Sequence, residues 1–256
     1  MLATRYVTPL REGGSLPGLV EADDDGLYVL KFRGAGQGPR ALIAELVAGE
    51  IGRALGLPVP EIVYAELDAA LGRSEPDFEI RDLLRASVGL NLALDFLPGA
   101  LPYSPASPVA IDPRLASAIV WFDAYTTNID RTARNPNLLI WHKRLWLIDH
   151  GAALYFHHRW ADHLERSRTP FAAIKDHVLL SRASKVREVD DELRGRLTSA
   201  KLVAIVGAIP DAWLSGPPNF ADADAERAAY VEYLLSRRDV STVFVEEAVR
   251  ARAQLV

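Results

Sequence analysis

The stretch from Ala100 to Pro113 holds four prolines, Pro102, Pro105, Pro108 and Pro113. Each fixes its own φ, removes a backbone donor and turns its predecessor away from the helical region, so neither a helix nor a central strand can run through. The chain must be built from a part before this stretch and a part after it.

The two parts carry different patterns. Before it, Tyr6 to Leu10 and Gly18 to Ala22 are β-type runs around the turn Gly13-Gly14-Ser15-Leu16-Pro17-Gly18, and Asp23-Asp24-Asp25-Gly26 is a turn before Leu27 to Phe32. Three consecutive antiparallel strands are predicted. Arg40 to Leu55 lacks proline, is rich in Ala, Leu and Glu, and stops at Gly56, the pattern of a helix with its C-terminal glycine. Ile62 to Leu67 and Leu90 to Phe96 read as further strands, the second running into Leu97-Pro98-Gly99. Beyond the prolines, Leu115 to Thr127 has apolar residues at 115, 118, 119 and 122, a helical spacing. Asn128 to Asn137 reads as a polar loop, Leu138 to Trp141 and Leu145 to Ile148 as a hairpin around His142-Lys143-Arg144. Val186 to Ile209, Asp222 to Ser236 and Val243 to Gln254 read as helices separated by Pro210, Pro217 and Pro218. The expectation is an α+β fold of two lobes around a shared cleft, β-rich over residues 1–97 and mainly helical over 98–256, together one domain.

With 256 residues, 49% of them hydrophobic and 25% charged, the chain can bury a sizeable core and is not a disordered or collagen-like sequence. A net charge of −5 argues against broad attraction to nucleic acid or an anionic membrane. The absence of cysteine excludes disulfides, thiolate zinc sites and a cysteine nucleophile. The N-terminus has no signal-peptide pattern and no apolar run reaches the ~18 residues of a membrane span, so a soluble cytoplasmic protein is expected.

Phosphoryl transfer needs cations for phosphate oxygens, hard oxygens for Mg²⁺ and a carboxylate to orient an acceptor hydroxyl. The sequence supplies them in a workable order. Asp130 and Asn135 share one loop, and Asp149 ends the hairpin that follows it. Because Mg²⁺ keeps several waters and takes few protein ligands, Asp149 and Asn135 suffice as a metal pair when ATP supplies the remaining oxygens. Asp130 is then left for the acceptor. Upstream, Lys31 stands in the apolar run Leu27-Tyr-Val-Leu-Lys31-Phe32, where an ammonium needs an anion. Glu45 and Glu50 lie on the helix just downstream.

These motifs together, with Leu147-Ile-Asp149-His-Gly151 and Asn128-Ile-Asp130-Arg-Thr-Ala-Arg-Asn135-Pro-Asn, resemble the HipA-like kinases, a family of the protein-kinase-like superfamily. Phe122-Asp123 to Asp130-Arg131 is also similar to the type II phosphatidylinositol 4-kinases. The resemblance implies a protein-kinase-like fold and an ATP- and Mg²⁺-dependent transfer of the γ-phosphoryl group to a hydroxyl of a protein, small molecule or lipid. It implies Lys31 as the phosphate-contacting lysine, Glu45 as its helix partner, Asp130 as the catalytic aspartate, and Asn135 and Asp149 as metal ligands. The backbone of Asp95, Phe96 and Leu97 is implied as the hinge that bonds adenine. On a helical wheel Glu50 lies nearer the large apolar face of Ile43, Val47 and Ile51, and Glu45 nearer Ala41, Ala48 and Gly52, so Glu50 stays open as an alternative. His150 replaces the usual phenylalanine of an Asp-Phe-Gly motif, and no Ala-Pro-Glu follows Gly151.

Other residues carry weaker signals. His157, His158 and His163 lack a clear ligand pattern for a metal. Asp123, in an apolar helix, is expected to brace the loop. Arg131 and Arg134 flank Asp130 and are suited equally to gripping phosphate or to pairing with acidic neighbours. The rival readings are a non-catalytic ATP-binding regulatory module and an interaction protein without nucleotide.

Overall fold

The computed structural model describes residues 1–10, 16–36, 38–73, 75–107, 109–214 and 219–255. Strands β1 (Leu2–Pro9), β2 (Gly18–Ala22) and β3 (Leu27–Lys31) pair antiparallel in sequence order, as the turn signals predict. Of the first turn, Gly13, Gly14 and Ser15 lie outside the described residues. In the second, the Asp24 carboxylate accepts from the Gly26 amide at 3.0 Å, an Asx-type closure. Helix α1 (Pro39–Ala54), strand β4 (Ile62–Leu67), helix α2 (Phe78–Ala86) and strand β5 (Gly89–Asp95) follow.

β5 lies between β3 and β4, and β1 pairs parallel with β4 through Leu2↔Glu66 and Ala3↔Leu67. Five strands thus close into a barrel, joined between β1 and β4 over two residue pairs. Its small core joins Val20, Leu30, Ala65 and Leu67 to Ile80 and Leu84 of α2. Helix α2 is not among the elements expected from the sequence, although Asp77 caps it, accepting from the Glu79 amide at 3.0 Å, and Ile80 and Leu84 stand one turn apart.

α1 ends as its glycine predicts. Gly56 takes φ +78, its amide bonds the Arg53 carbonyl at 2.9 Å and the Leu57 amide reaches the Gly52 carbonyl at 2.9 Å, a Schellman closure. The helix is buried around most of its circumference, and Ile43, Val47 and Ile51 belong to the same core as Phe122, Leu147 and Val206 of the helical part. It is the wedge between the barrel and the rest of the chain.

The proline stretch is not wholly linker: β6 (Leu101–Pro102) pairs with β7 (Leu138–Trp141), which pairs with β8 (Arg144–Leu147). Helix α3 (Pro113–Thr126) precedes the hairpin. Beyond it come α4 (His163–Ser167), α5 (Val186–Arg196), α6 (Ser199–Gly207), α7 (Ala223–Asp239) and α8 (Thr242–Arg252), with 3₁₀ turns between. The single helix expected over Val186 to Ile209 is two, because Thr198 turns extended and caps α6, its hydroxyl accepting from the Lys201 amide at 3.3 Å. No helix among the described residues is long and apolar enough to cross a membrane.

Two buried charges fix the end of α3, from which the polar loop departs. Arg237 lies 4.9 Å from the Phe244 ring centroid and donates to the carbonyls of Ala124 at 2.7 Å and Tyr125 at 2.9 Å, the negative end of the helix. Asp123, fully buried, accepts from Arg131 Nε at 2.6 Å, His177 Nε2 at 2.8 Å and Asn128 Nδ2 at 3.0 Å. His177 Nδ1 accepts from the Leu179 amide at 3.0 Å, so the proton sits on Nε2 and is donated to Asp123. Burial pushes the Asp123 carboxyl up, but the Arg131 guanidinium and the His177 hydrogen bond outweigh it and hold the carboxyl at about 2.

An unfolded aspartate titrates at about 3.9, so this carboxylate contributes about 2–3 kcal/mol of stability above that pH, lost as pH falls toward 2. In urea melts, Asp123→Asn is destabilised by about 3–5 kcal/mol near neutrality, because Arg131 is left buried without its counter-charge. The gap to the wild type narrows between pH 5 and pH 2. A gap that stays constant across that range contradicts the assignment.

Candidate active site

Between the barrel and the β6-β7-β8 sheet lies a cavity of about 690 Å³. It is lined by the apolar residues Val29, Leu94, Leu97, Leu139 and Ile148 and by the polar residues Lys31, Arg134, Asn135, Asn137 and Asp149. The shape follows from the fold: β3 and β5 present one wall, and the loop after α3 with the hairpin it leads into presents the other.

Lys31, last residue of β3, is largely buried and donates to Asp149 Oδ1 at 2.8 Å. Its ammonium also lies 3.5 Å from Glu45 Oε2 on α1, a carboxylate only 1% exposed. Burial alone would lower the lysine pKa; Glu45 and then Asp149 more than offset it, and the ammonium stays charged. Glu45 is also held from a third element, accepting from the His150 amide at 3.0 Å and facing His150 Nδ1 at 3.2 Å. Burial pushes its carboxyl up, while Lys31 and then His150 prevail and hold it at about 2.

Glu50 does not enter this cluster. It is half-exposed and pairs with Arg53 at 3.4 Å on the same helix. The face of small residues, Ala41, Ala48 and Gly52, is therefore the Glu45 side, and the wheel left the choice open because α1 is covered on both sides.

On the loop, Asn135 Nδ2 donates to Asp130 Oδ2 at 2.7 Å, with Asn137 Nδ2 3.4 Å from the same oxygen and 3.5 Å from the Asp149 carbonyl. The loop is thus tied to the Asp149 turn by its own amides. Asp130 is half-buried beside the cavity rather than among its lining residues. Its amide bonds Asn128 Oδ1 at 3.1 Å, which links it to the buried Asp123. Asp149 takes φ +54, a left-handed conformation that aspartate tolerates better than most side chains.

The remaining candidates separate clearly. At the proposed hinge, the Asp95 amide already donates to the Glu61 carbonyl at 2.9 Å and the Phe96 amide to the Leu27 carbonyl at 3.0 Å. Among the described residues, the Leu97 amide has no protein acceptor. Arg131 is buried in the Asp123 cluster, and Arg134 is exposed at the cavity. His157 is buried against the Tyr230 hydroxyl at 2.9 Å, and burial first, then His158, keeps its pKa well below the ordinary imidazole range. No group of three or more His, Cys, Asp or Glu among the described residues is placed to hold a metal. Sequence reasoning missed His177, whose distance in sequence from Asp123 hides their contact.

The oxygens still free fit a hard cation that takes part of its shell from elsewhere. Asn135 uses its amide nitrogen on Asp130 and leaves Oδ1 open, and Asp149 uses Oδ1 on Lys31 and leaves Oδ2 open.

Comparison with known proteins agrees with this architecture. The Helicobacter pylori proinflammatory kinase CtkA is similar in structure, with a TM-score of 0.57 and 13% identity over 97% of this chain and 95% of that one. The Golgi casein kinase with Mn/ADP bound gives a TM-score of 0.51 and 12% identity over 96% of this chain and 72% of that one. At these identities the likeness speaks for the fold, a two-lobed kinase-like α+β arrangement. No curated protein sequence matches the chain. The profile of one sequence family, described as HipA-like kinase, matches residues 4–245, and the chain therefore belongs to the HipA-like kinase family.

Proposed function

We propose that the chain binds MgATP in this cavity and transfers the γ-phosphoryl group to an acceptor hydroxyl. The observation that carries the reading is the convergence of Lys31, Glu45 and Asp149 from β3, α1 and the β8 turn, next to a loop that holds Asp130 and Asn135 together.

Adenine would lie against Val29, Leu94 and Leu139, with the open Leu97 amide as hinge donor. Lys31, kept charged and held by Glu45, would contact the phosphate chain. The hard oxygens of Asn135 and Asp149 would hold Mg²⁺, which when bound neutralises phosphate charge. That one neighbouring structure is described with Mn/ADP supports a nucleotide with a divalent ion. Asp130, oriented by Asn135 and Asn137 through Oδ2, offers Oδ1 to the acceptor hydroxyl. As the acceptor oxygen forms its bond to the γ-phosphorus, the bond from that phosphorus to the bridging oxygen breaks and its electron pair leaves with ADP. The hydroxyl proton passes to Asp130. Positioning and fixed charge supply most of the acceleration.

Asp130→Ala is expected to lower turnover by about 10²–10⁴-fold while MgATP affinity, read by calorimetry, changes little. Retained full turnover contradicts the acceptor-facing role. In the same assay, Asp149→Ala loses the Mg²⁺-dependent part of ATP binding, and binding as tight as that of the wild type rules out its metal role.

A further inference from the structure

Arg131 and Arg134 lie on the same loop, three residues apart, and the fold gives them opposite fates. Arg131 is 1% exposed and committed: Nε to Asp123, and one terminal nitrogen to the carbonyls of Asn137 and Ile148. Arg134 is exposed, lines the cavity beside Asn135, and has no carboxylate or carbonyl partner among the described residues. The other cation lining the cavity among the described residues, Lys31, is already shared between Glu45 and Asp149.

The charge balance makes this uneven commitment consequential. Glu45, Asp130, Asp149 and Asp95 place four carboxylates at or beneath the cavity, and among the described residues Lys31 is the only lysine or arginine paired with any of them. A nucleoside triphosphate entering such a site meets repulsion that one bound divalent cation and a shared lysine do not fully offset. Arg134 brings an unpaired guanidinium whose planar fork matches two oxygens of one phosphate. It also has the right place. Arg134 immediately precedes Asn135, which also lines the cavity, and shares a loop with Asp130.

We propose that Arg134 is a further catalytic residue, binding the terminal phosphoryl group of the nucleotide from the loop side while Lys31 holds the chain from the barrel side. The inference rests on the nucleotide reading above and deepens it. As the bond to the bridging oxygen breaks, charge on the transferring group is spread over its three peripheral oxygens, and Arg134 would bind two of them more tightly than in the ground state.

The test compares wild type, Arg134→Gln and Arg134→Lys in the presence of Mg²⁺, using calorimetry with ADP and with the β,γ-imido analogue of ATP, and turnover with ATP. Arg134→Gln is expected to bind the analogue about tenfold more weakly and ADP within about twofold of wild type, and to turn over about 10²-fold more slowly. Arg134→Lys falls between, keeping charge but losing the fork. Because Arg134 is exposed and unpartnered, the melting temperatures should coincide, so loss of fold does not mimic the effect. Unchanged affinities and turnover overturn the proposal and leave a solvated arginine. Equal weakening of ADP and analogue overturns it in favour of the inner phosphates, and a change confined to the acceptor KM in favour of acceptor binding. If wild-type protein binds neither nucleotide, the proposed function itself fails and this assignment with it.

Discussion

A carboxylate as deeply buried as that of Glu45 is tolerable only where its oxygens meet donors, and here the donors come from two separate elements. One oxygen takes the Lys31 ammonium from the barrel and the His150 amide from the turn after β8; the other faces the His150 ring. The wedge helix α1, the barrel and the hairpin turn are fixed to one another through a single side chain. Removing any partner leaves a charge or a polar group stranded in the interior, so the relative placement of Lys31 and Asp149 across the cavity is held by electrostatics as well as packing.

A second buried cluster does the same for the loop. Asp123 gathers Arg131, Asn128 and His177, and the Asn128 side chain in turn receives the Asp130 amide. The loop is polar and would be loose by composition alone. Its shape depends on α3, whose end is held by Arg237, and on a histidine far along the chain. The two clusters meet where Asn137 approaches both the Asp130 carboxylate and the Asp149 carbonyl.

Much of this was legible in the sequence wherever the signal was local. The turn aspartates before β3 and the glycine that ends α1 each act over a few residues, and the structure places them as read. Lys31 was legible for a different reason: an ammonium in an apolar strand needs an anion, and the structure gives it both Glu45 and Asp149. What escaped was non-local. Barrel closure depends on the parallel pairing of Leu2 and Ala3 with β4, and no short-range pattern encodes that register. The choice of Glu45 over Glu50 depends on what covers each face of α1, and the role of His177 on a contact across more than fifty residues. Thr198 is the exception, a local cap inside a periodic run whose continuity masked it.

The family and the neighbouring structures establish a kinase-like fold, and the buried ion network explains how this chain holds Lys31 and Asp149 together at its cavity. Transfer of the terminal phosphoryl group is measured by incubating the wild type and Asp130→Ala with γ-labelled ATP, alone and with cell extract fractionated into small molecules, lipids and proteins. Label is expected to move to one acceptor fraction, or to the chain itself, with the wild type and not with the variant. Label that stays in ATP in every fraction, while the nucleotide is bound, would contradict it.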